Sequence, residues 1–394
     1  YGTGYRLKET VTIEDLAFRA NHIIKNEIEI VKDQLTRNRI DLIFGEARFV
    51  DPHRLLIQQA GTATEHYAHV IVIAVGTVPT RPADIPFDSH TIIDTDGLIT
   101  LKRLPTSLII VGGGVIGTEY ASILAMIGVK VVLIDKRPRL LEFVDAQIID
   151  ALQRQMTDIG VTLYHEDEVV AIRKESDGQV TVSLTHRPPI TATTLMYAIG
   201  RIGATQRLNL AAVGITPDAR GRVIVNEHFQ TAIPHIYAAG DVIGFPSLAS
   251  TSMEQGRIAT CHAFHTPAPP APEYYPFGIY AVPEISTVGM TEEEVRQRGI
   301  PFECGVARFR ETSRGHIMGI DHGMMKMLFS IKTRRLLGVH IVGEGATELI
   351  HIGQAVLNLK GTLEYFIENT FNYPTLAEAY KIAALDAWNR MPRG

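Results

Sequence analysis

Cysteine is scarce here: 394 residues hold two, Cys261 and Cys304, and no C-x-x-C pair. No disulfide framework can be built from them, and a reducing, cytoplasmic compartment is the expectation. Basic excess is missing too. Lys+Arg 38 against Asp+Glu 43 gives a net charge of −5, which leaves no cationic surplus for a phosphate backbone and points away from nucleic acid. Long apolar runs are also absent. The best, residues 122–134, is interrupted by Gly128 and Lys130 and falls short of the roughly 20 residues of a membrane helix, so no membrane partner is expected. The opening Tyr1-Gly-Thr-Gly-Tyr-Arg6 has no signal or transit pattern and no initiator Met, which reads as a processed or truncated chain. What is present is ordinary for a folded protein: 45% hydrophobic and 21% charged residues exclude collagen, coiled coil and disordered tail. The length suits two or three domains, and the partners expected are small molecules or protein.

Along the chain, Leu16, Ala20, Ile23, Ile24, Ile28 and Val31 follow helical spacing from Ile13 to Gln34, with Thr12 as N-cap. Strand-like runs follow at 40–44, 54–58 and 70–75, the last meeting Gly76-Thr77-Val78-Pro79. Leu108–Val111 reads as a buried strand, Gly112–Gly117 as a glycine turn, Val115–Met126 as a helix closing at Gly128, and Val129–Ile134 as a second strand. Together they form one βαβ unit. Further strands are expected at 180–184, 195–199 and before Ala238-Ala-Gly-Asp241. The proline-rich 266–272 reads as an extended linker, and beyond it lies an α+β region with helices at 346–359 and 376–388.

Gly112, Gly114 and Gly117 have G-x-G-x-x-G spacing in the context a dinucleotide fingerprint requires: after a strand, opening a helix, with Asp135 at the next strand end. An Asp there accepts the hydroxyls of an adenosine ribose, which favours NAD. Lys136, Arg137 and Arg139 follow at once, and they are donors suited to the 2′-phosphate of NADP. The two readings stay open side by side.

Six segments in order carry a family resemblance: Val75-Gly76-Thr77-Val78-Pro79, Gly112 to Glu119, Ala198-Ile199-Gly200-Arg201, Tyr237-Ala-Ala-Gly240-Asp241, Pro283 to Gly289, and Pro374-Thr-Leu-Ala-Glu378. Through essentially its whole length the chain resembles the flavin-dependent pyridine nucleotide-disulfide oxidoreductases, the group of lipoamide dehydrogenase and glutathione reductase. The resemblance implies FAD with its ribityl chain on Asp241, the Leu248-Ala249 backbone against the isoalloxazine, Ala47 backbone near the adenine, and Glu119 near the nicotinamide ribose. It also implies a fold of two Rossmann-like nucleotide-binding domains and a carboxyl-terminal α+β dimerisation domain. The expected boundaries are 1–100 for the first part of the FAD domain, 101–222 for the NAD(P) domain, 223–275 for the FAD domain continued and 276–394 for dimerisation. The family's own opening βαβ unit for FAD is not found before Thr12. The expectation is therefore an FAD domain lacking that unit, with lowered FAD occupancy because the flavin pyrophosphate loses its helix terminus.

One departure decides among branches. Disulfide reductases of this group place a His before the Pro of the last motif, paired with the Glu four residues past that Pro, as base toward a dithiol. Here Tyr373 precedes Pro374, with Glu378 retained. A phenol, with an ordinary pKa of about 10, is a poor substitute for imidazole near neutrality. Segments 244–249, 278–285 and 371–380 look closest to the transhydrogenating branch, which passes hydride between NADPH and NAD through FAD without a disulfide substrate. The alternatives are a lipoamide dehydrogenase-like reductase and a flavin-free NAD(H)-binding dimerising fragment. Glu348-x-x-His351 and the pair Cys261 and His265 have spacings seen among metal ligands, but each lacks further partners and no metal is expected.

Overall fold

The computed structural model describes residues 12–268 and 270–392, the side chain of Leu16 excepted, so the readings made on Tyr1–Arg6, Leu16 and Pro269 lie outside the described residues. The chain divides into two compact units. The first comprises Tyr1–Pro82, Asp96–Leu104 and Gly200–Ala271, and the second Ala83–Thr95, Pro105–Ile199 and Pro272–Gly394.

In the second unit, a five-stranded parallel sheet runs in the order Ile92–Asp94, Thr194–Tyr197, Ser107–Val111, Lys130–Ile134, Thr162–Tyr164. The central strands are continuous apolar runs because helices and loops cover both faces of such a sheet. Leu108, Ile109, Ile110 and Leu133 are sealed from solvent. Three antiparallel strands, Val169–Lys174, Val180–Leu184 and Ile190–Ala192, add a small sheet, and Val180 and Val182 join the apolar cluster of Ile109 and Leu195. A second five-stranded sheet, wholly antiparallel, follows: Phe277–Ile279, Ile285–Gly289, Leu336–Val342, Met324–Ser330, Phe302–Arg308. The helices Ala346–Asn358 and Glu378–Arg390 bury Ile350, Tyr380 and Ala383 against it.

The first unit opens on the helix Ile13–Arg37, where Thr12 and Asp15 form a reciprocal capping box. Its apolar stripe is present but open: Ile24, Ile28 and Val31 are 48, 49 and 48% exposed. Residues 40–44, expected as a strand, are irregular, with Ile40, Leu42 and Phe44 exposed. β-Propensity alone does not make a strand; the ladder needs a neighbouring edge, and no described strand pairs with this run. The unit continues with an antiparallel meander, Glu46–Asp51, Arg54–Gln59 and Thr62–Tyr67, then two small pairings. Ile71–Ile73 lies parallel to Ile236–Ala238, and Thr77–Pro79 antiparallel to Arg201–Gly203. Phe49, Ile71, Ile236 and Val242 share one core. No described helix is long and apolar enough to cross a membrane.

Candidate functional site

The fingerprint of the second unit folds as its residues dictate. Gly112 has φ +109°, and a Cβ there would lie 2.4 Å from the Ala198 carbonyl of the neighbouring parallel strand. A Cβ on Gly117 would lie 1.9 Å from the Gly112 carbonyl, so only glycine lets the helix Val115–Met126 start this close to its strand. Gly114 differs: nothing stands within 4 Å of its would-be Cβ, and it is the N-cap of that helix with no side-chain cap. An open backbone face at an uncapped helix terminus is the geometry that receives a pyrophosphate. The residues present therefore fit a dinucleotide.

The same helix carries Glu119, whose Oε1 accepts from Tyr280 N–H at 2.8 Å, while Ser122 Oγ accepts from Val282 N–H at 2.9 Å. Burial pushes the Glu119 carboxyl above its ordinary range, against the opposing effect of the Tyr280 amide. The segment 280–282 is thus fastened along the fingerprint helix.

Asp135 is more occupied than its sequence position suggests. Its carboxylate accepts from Gly113 N–H, Arg137 N–H and the Arg137 guanidinium, with Nε and Nη2 at 2.8 and 2.6 Å. Burial works to raise this carboxyl, but Arg137 and the two amides outweigh it and hold it below the usual carboxylate range. The basic trio separates. Arg137 faces Asp135, Arg139 turns to Glu293 at 4.0 Å, and Lys136 is exposed without an ion pair among the described residues.

In the first unit, Gly76, Gly200, Gly240 and Asp241 gather around the Thr77–Pro79 and Arg201–Gly203 pairing. Thr80 N–H donates to the Gly200 carbonyl at 3.0 Å, and Thr77 Oγ1 donates to Asp241 Oδ2 at 3.4 Å. Arg201 is fixed by Thr77 Oγ1 at 2.9 Å and Asp96 at 2.8 Å. Beside them opens a cleft of about 290 Å³ lined by Thr77, Arg201, Arg220, Arg222, Asp241 and Phe245. Three guanidinium groups with one carboxylate suit a ligand bearing both phosphate and hydroxyl groups, so this donor set fits FAD. Leu248 is the N-cap of the helix Ala249–Ala263 and provides no side-chain cap, which leaves amides facing outward there. Ala47 pairs with Ile57 in the meander, apart from this cluster. Sequence reasoning passed over Arg220 and Arg222; spacing alone did not link them to residues more than 100 positions earlier.

At the end of the second unit, Tyr373 is 72% exposed and no hydrogen bond joins it to Glu378, whose Oε2 is enclosed without a partner. His351 bonds to Gln354 instead of a metal ligand set, and among the described residues no three His, Cys, Asp or Glu side chains converge on a metal position. Both cysteines are free.

Comparison with known proteins agrees with this arrangement. Residues 6–256 match the pyridine nucleotide-disulphide oxidoreductase family, and residues 275–384 match its dimerisation domain. A soluble pyridine nucleotide transhydrogenase of Mycobacterium bovis is 48% identical over 99% of this chain and 84% of its own length. A protein of the same name from Marinobacter nauticus is 44% identical over 94% of this chain and 81% of its own. Among solved structures, the HOCl-induced flavoprotein disulfide reductase RclA from Escherichia coli superposes with a TM-score of 0.84 at 27% identity, covering 95% of this chain and 88% of that one. LpdA from Mycobacterium tuberculosis gives 0.88 at 25%, covering 97% and 84%. The chain belongs to the pyridine nucleotide-disulphide oxidoreductase family and carries that family's dimerisation domain.

Proposed function

We propose that this protein is a soluble flavoprotein transhydrogenase, moving hydride between NADPH and NAD through FAD. Bound FAD supplies two-electron acceptance and return; the chain's residues supply position and electrostatics. The Gly112–Gly117 turn and its helix terminus would hold the nicotinamide dinucleotide, with Asp135, Lys136 and Arg137 at the adenosine ribose and Glu119 toward the nicotinamide half. Asp241, Gly76, Gly200 and Gly240, with Arg201, Arg220 and Arg222, would hold the flavin's ribityl and phosphate groups, and Leu248-Ala249 its ring. On this reading, 1–100 and 223–275 serve FAD, 101–222 serves NAD(P), and 276–394 joins two copies into a homodimer.

The observation that carries the choice is Tyr373. It is exposed, unbonded to Glu378 and stands where a dithiol reductase needs an imidazole base. Hydride exchange between nicotinamides needs no such base. The names of the relatives at 48 and 44% identity support the same branch. The second reading, a disulfide reductase, is favoured only by the name of a neighbour at 27% identity. Reduction of thionicotinamide-NAD by NADPH tests the proposal: turnover with the flavin-loaded protein supports it. Lipoamide reduction without any transfer between nicotinamides would replace it with the reductase.

A further inference from the structure

The corner after the strand Lys130–Ile134 sets a carboxylate beside two cations in consecutive positions, Asp135, Lys136 and Arg137. Asp135 is held twice over. Two main-chain donors, Gly113 N–H and Arg137 N–H, bind it independently of the Arg137 guanidinium, which adds Nε and Nη2 at 2.8 and 2.6 Å. Those four donors use the four lone-pair sites of the carboxylate. Exposure of the partners is unequal: the Asp135 side chain is 4% exposed and that of Arg137 is 36%. The carboxylate is therefore fixed by backbone, and the guanidinium covers it from the solvent side.

We propose that Arg137 is the residue through which this corner admits both nicotinamide dinucleotides, an inference that rests on the dinucleotide reading above. An Asp alone at a strand end repels a 2′-phosphate by like charge. An Arg alone offers the two hydroxyls of an unphosphorylated ribose no acceptor. One movement of Arg137 serves either ligand. When the guanidinium turns outward, it frees two lone pairs of Asp135, which ribose hydroxyls fill. When a 2′-phosphate is present, the displaced guanidinium itself becomes the fork that binds it, with exposed Lys136 beside it. Asp135 keeps its place in both arrangements because the Gly113 and Arg137 amides remain. Arg139 takes no part, being directed at Glu293.

Calorimetric titration of the purified protein with NAD+ and NADP+ reads this without hydride transfer. The wild type is expected to bind both, with dissociation constants within about tenfold of each other. Arg137→Gln should weaken NADP+ by about tenfold or more, the usual loss for a hydrogen bond to a charged group, and NAD+ by less than about threefold. Asp135→Asn, which releases the guanidinium, should shift the preference toward NADP+ by about tenfold, and Arg137→Lys should recover part of NADP+ binding. Equal weakening of both ligands by Arg137→Gln would show a merely structural pair and overturn the inference. So would a wild type that binds only one dinucleotide, or neither. Binding with the expected pattern but no exchange of hydride would leave the inference standing and remove the function proposed above.

Discussion

Gly117 is the residue where the fold leaves least freedom. A methyl group there would enter the Gly112 carbonyl at 1.9 Å, and both atoms belong to backbone that cannot turn aside. Gly117→Ala should cost about 1–3 kcal/mol, as overpacking does, and abolish dinucleotide binding; urea unfolding and calorimetry on the one variant measure both. Glu119 makes the opposite case, a side chain held in a costly state. Its carboxyl sits above the ordinary range because burial disfavours its charge. With the folded value above the unfolded value of about 4.3, the stabilisation from the protonated form is complete below that pH and is lost as pH rises through the folded value. Gln imitates the protonated acid and keeps an acceptor for the Tyr280 amide. Glu119→Gln should match the wild type near pH 4 and exceed it in melting temperature at about pH 8.

Elements joined by a single buried cation obey the same bookkeeping with the sign reversed. Lys326, on the strand Met324–Ser330, is 2% exposed and donates to both oxygens of Asp145 at 2.9 Å and to Glu292 at 2.6 Å. Asp145 caps the helix Ala146–Asp158 through the Gln147 amide, so one ammonium group ties that helix to the antiparallel sheet. Burial would raise both carboxyls, yet the charges around them hold both low; burial would lower Lys326, and its two partners hold it high. The carboxylates contribute stability above about pH 4 that is lost as pH falls through their folded values, and the ammonium contributes below about pH 10. Lys326→Met should cost about 3–5 kcal/mol at neutral pH by stranding two carboxylates, with a smaller penalty in acid; denaturant titrations at several pH values check it. None of this network was legible in the sequence, since nothing in spacing connects positions 145, 292 and 326. The fingerprint strand, turn and helix were legible because local chemistry specifies them: an apolar run, glycines at fixed offsets and a stop at Gly128. Residues 40–44 misled for the converse reason, since a strand's existence depends on an edge that the run itself does not encode. The cleft arginines stayed hidden because the Thr77–Pro79 and Arg201–Gly203 pairing brings them to Asp241 from far along the chain. Arg137 was named from the sequence as a phosphate donor, but its hold on Asp135 depends on a turn in which the Gly113 amide meets the same carboxylate.

For the molecule as a whole, charge and assembly give separate expectations. A ligand that binds only the folded state stabilises it, by about 2.7 kcal/mol at one hundred times its dissociation constant. FAD at that excess should raise the unfolding free energy by this amount, and Arg222→Ala, which removes one cation from the cleft, should reduce the gain; urea unfolding with and without FAD measures it. The match of residues 275–384 to a dimerisation domain leads to the expectation of a species of twice the chain's mass in sedimentation, reverting to single chains on sufficient dilution. Lys326 has a further use here. Reagents that acylate amines modify lysines they can reach, and this one is sealed behind Asp145 and Glu292 while Lys136 stands open to solvent. In a mass-spectrometric footprint the native protein should carry the label at Lys136 and stay blank at Lys326, so the first appearance of label at Lys326 would time the parting of helix from sheet.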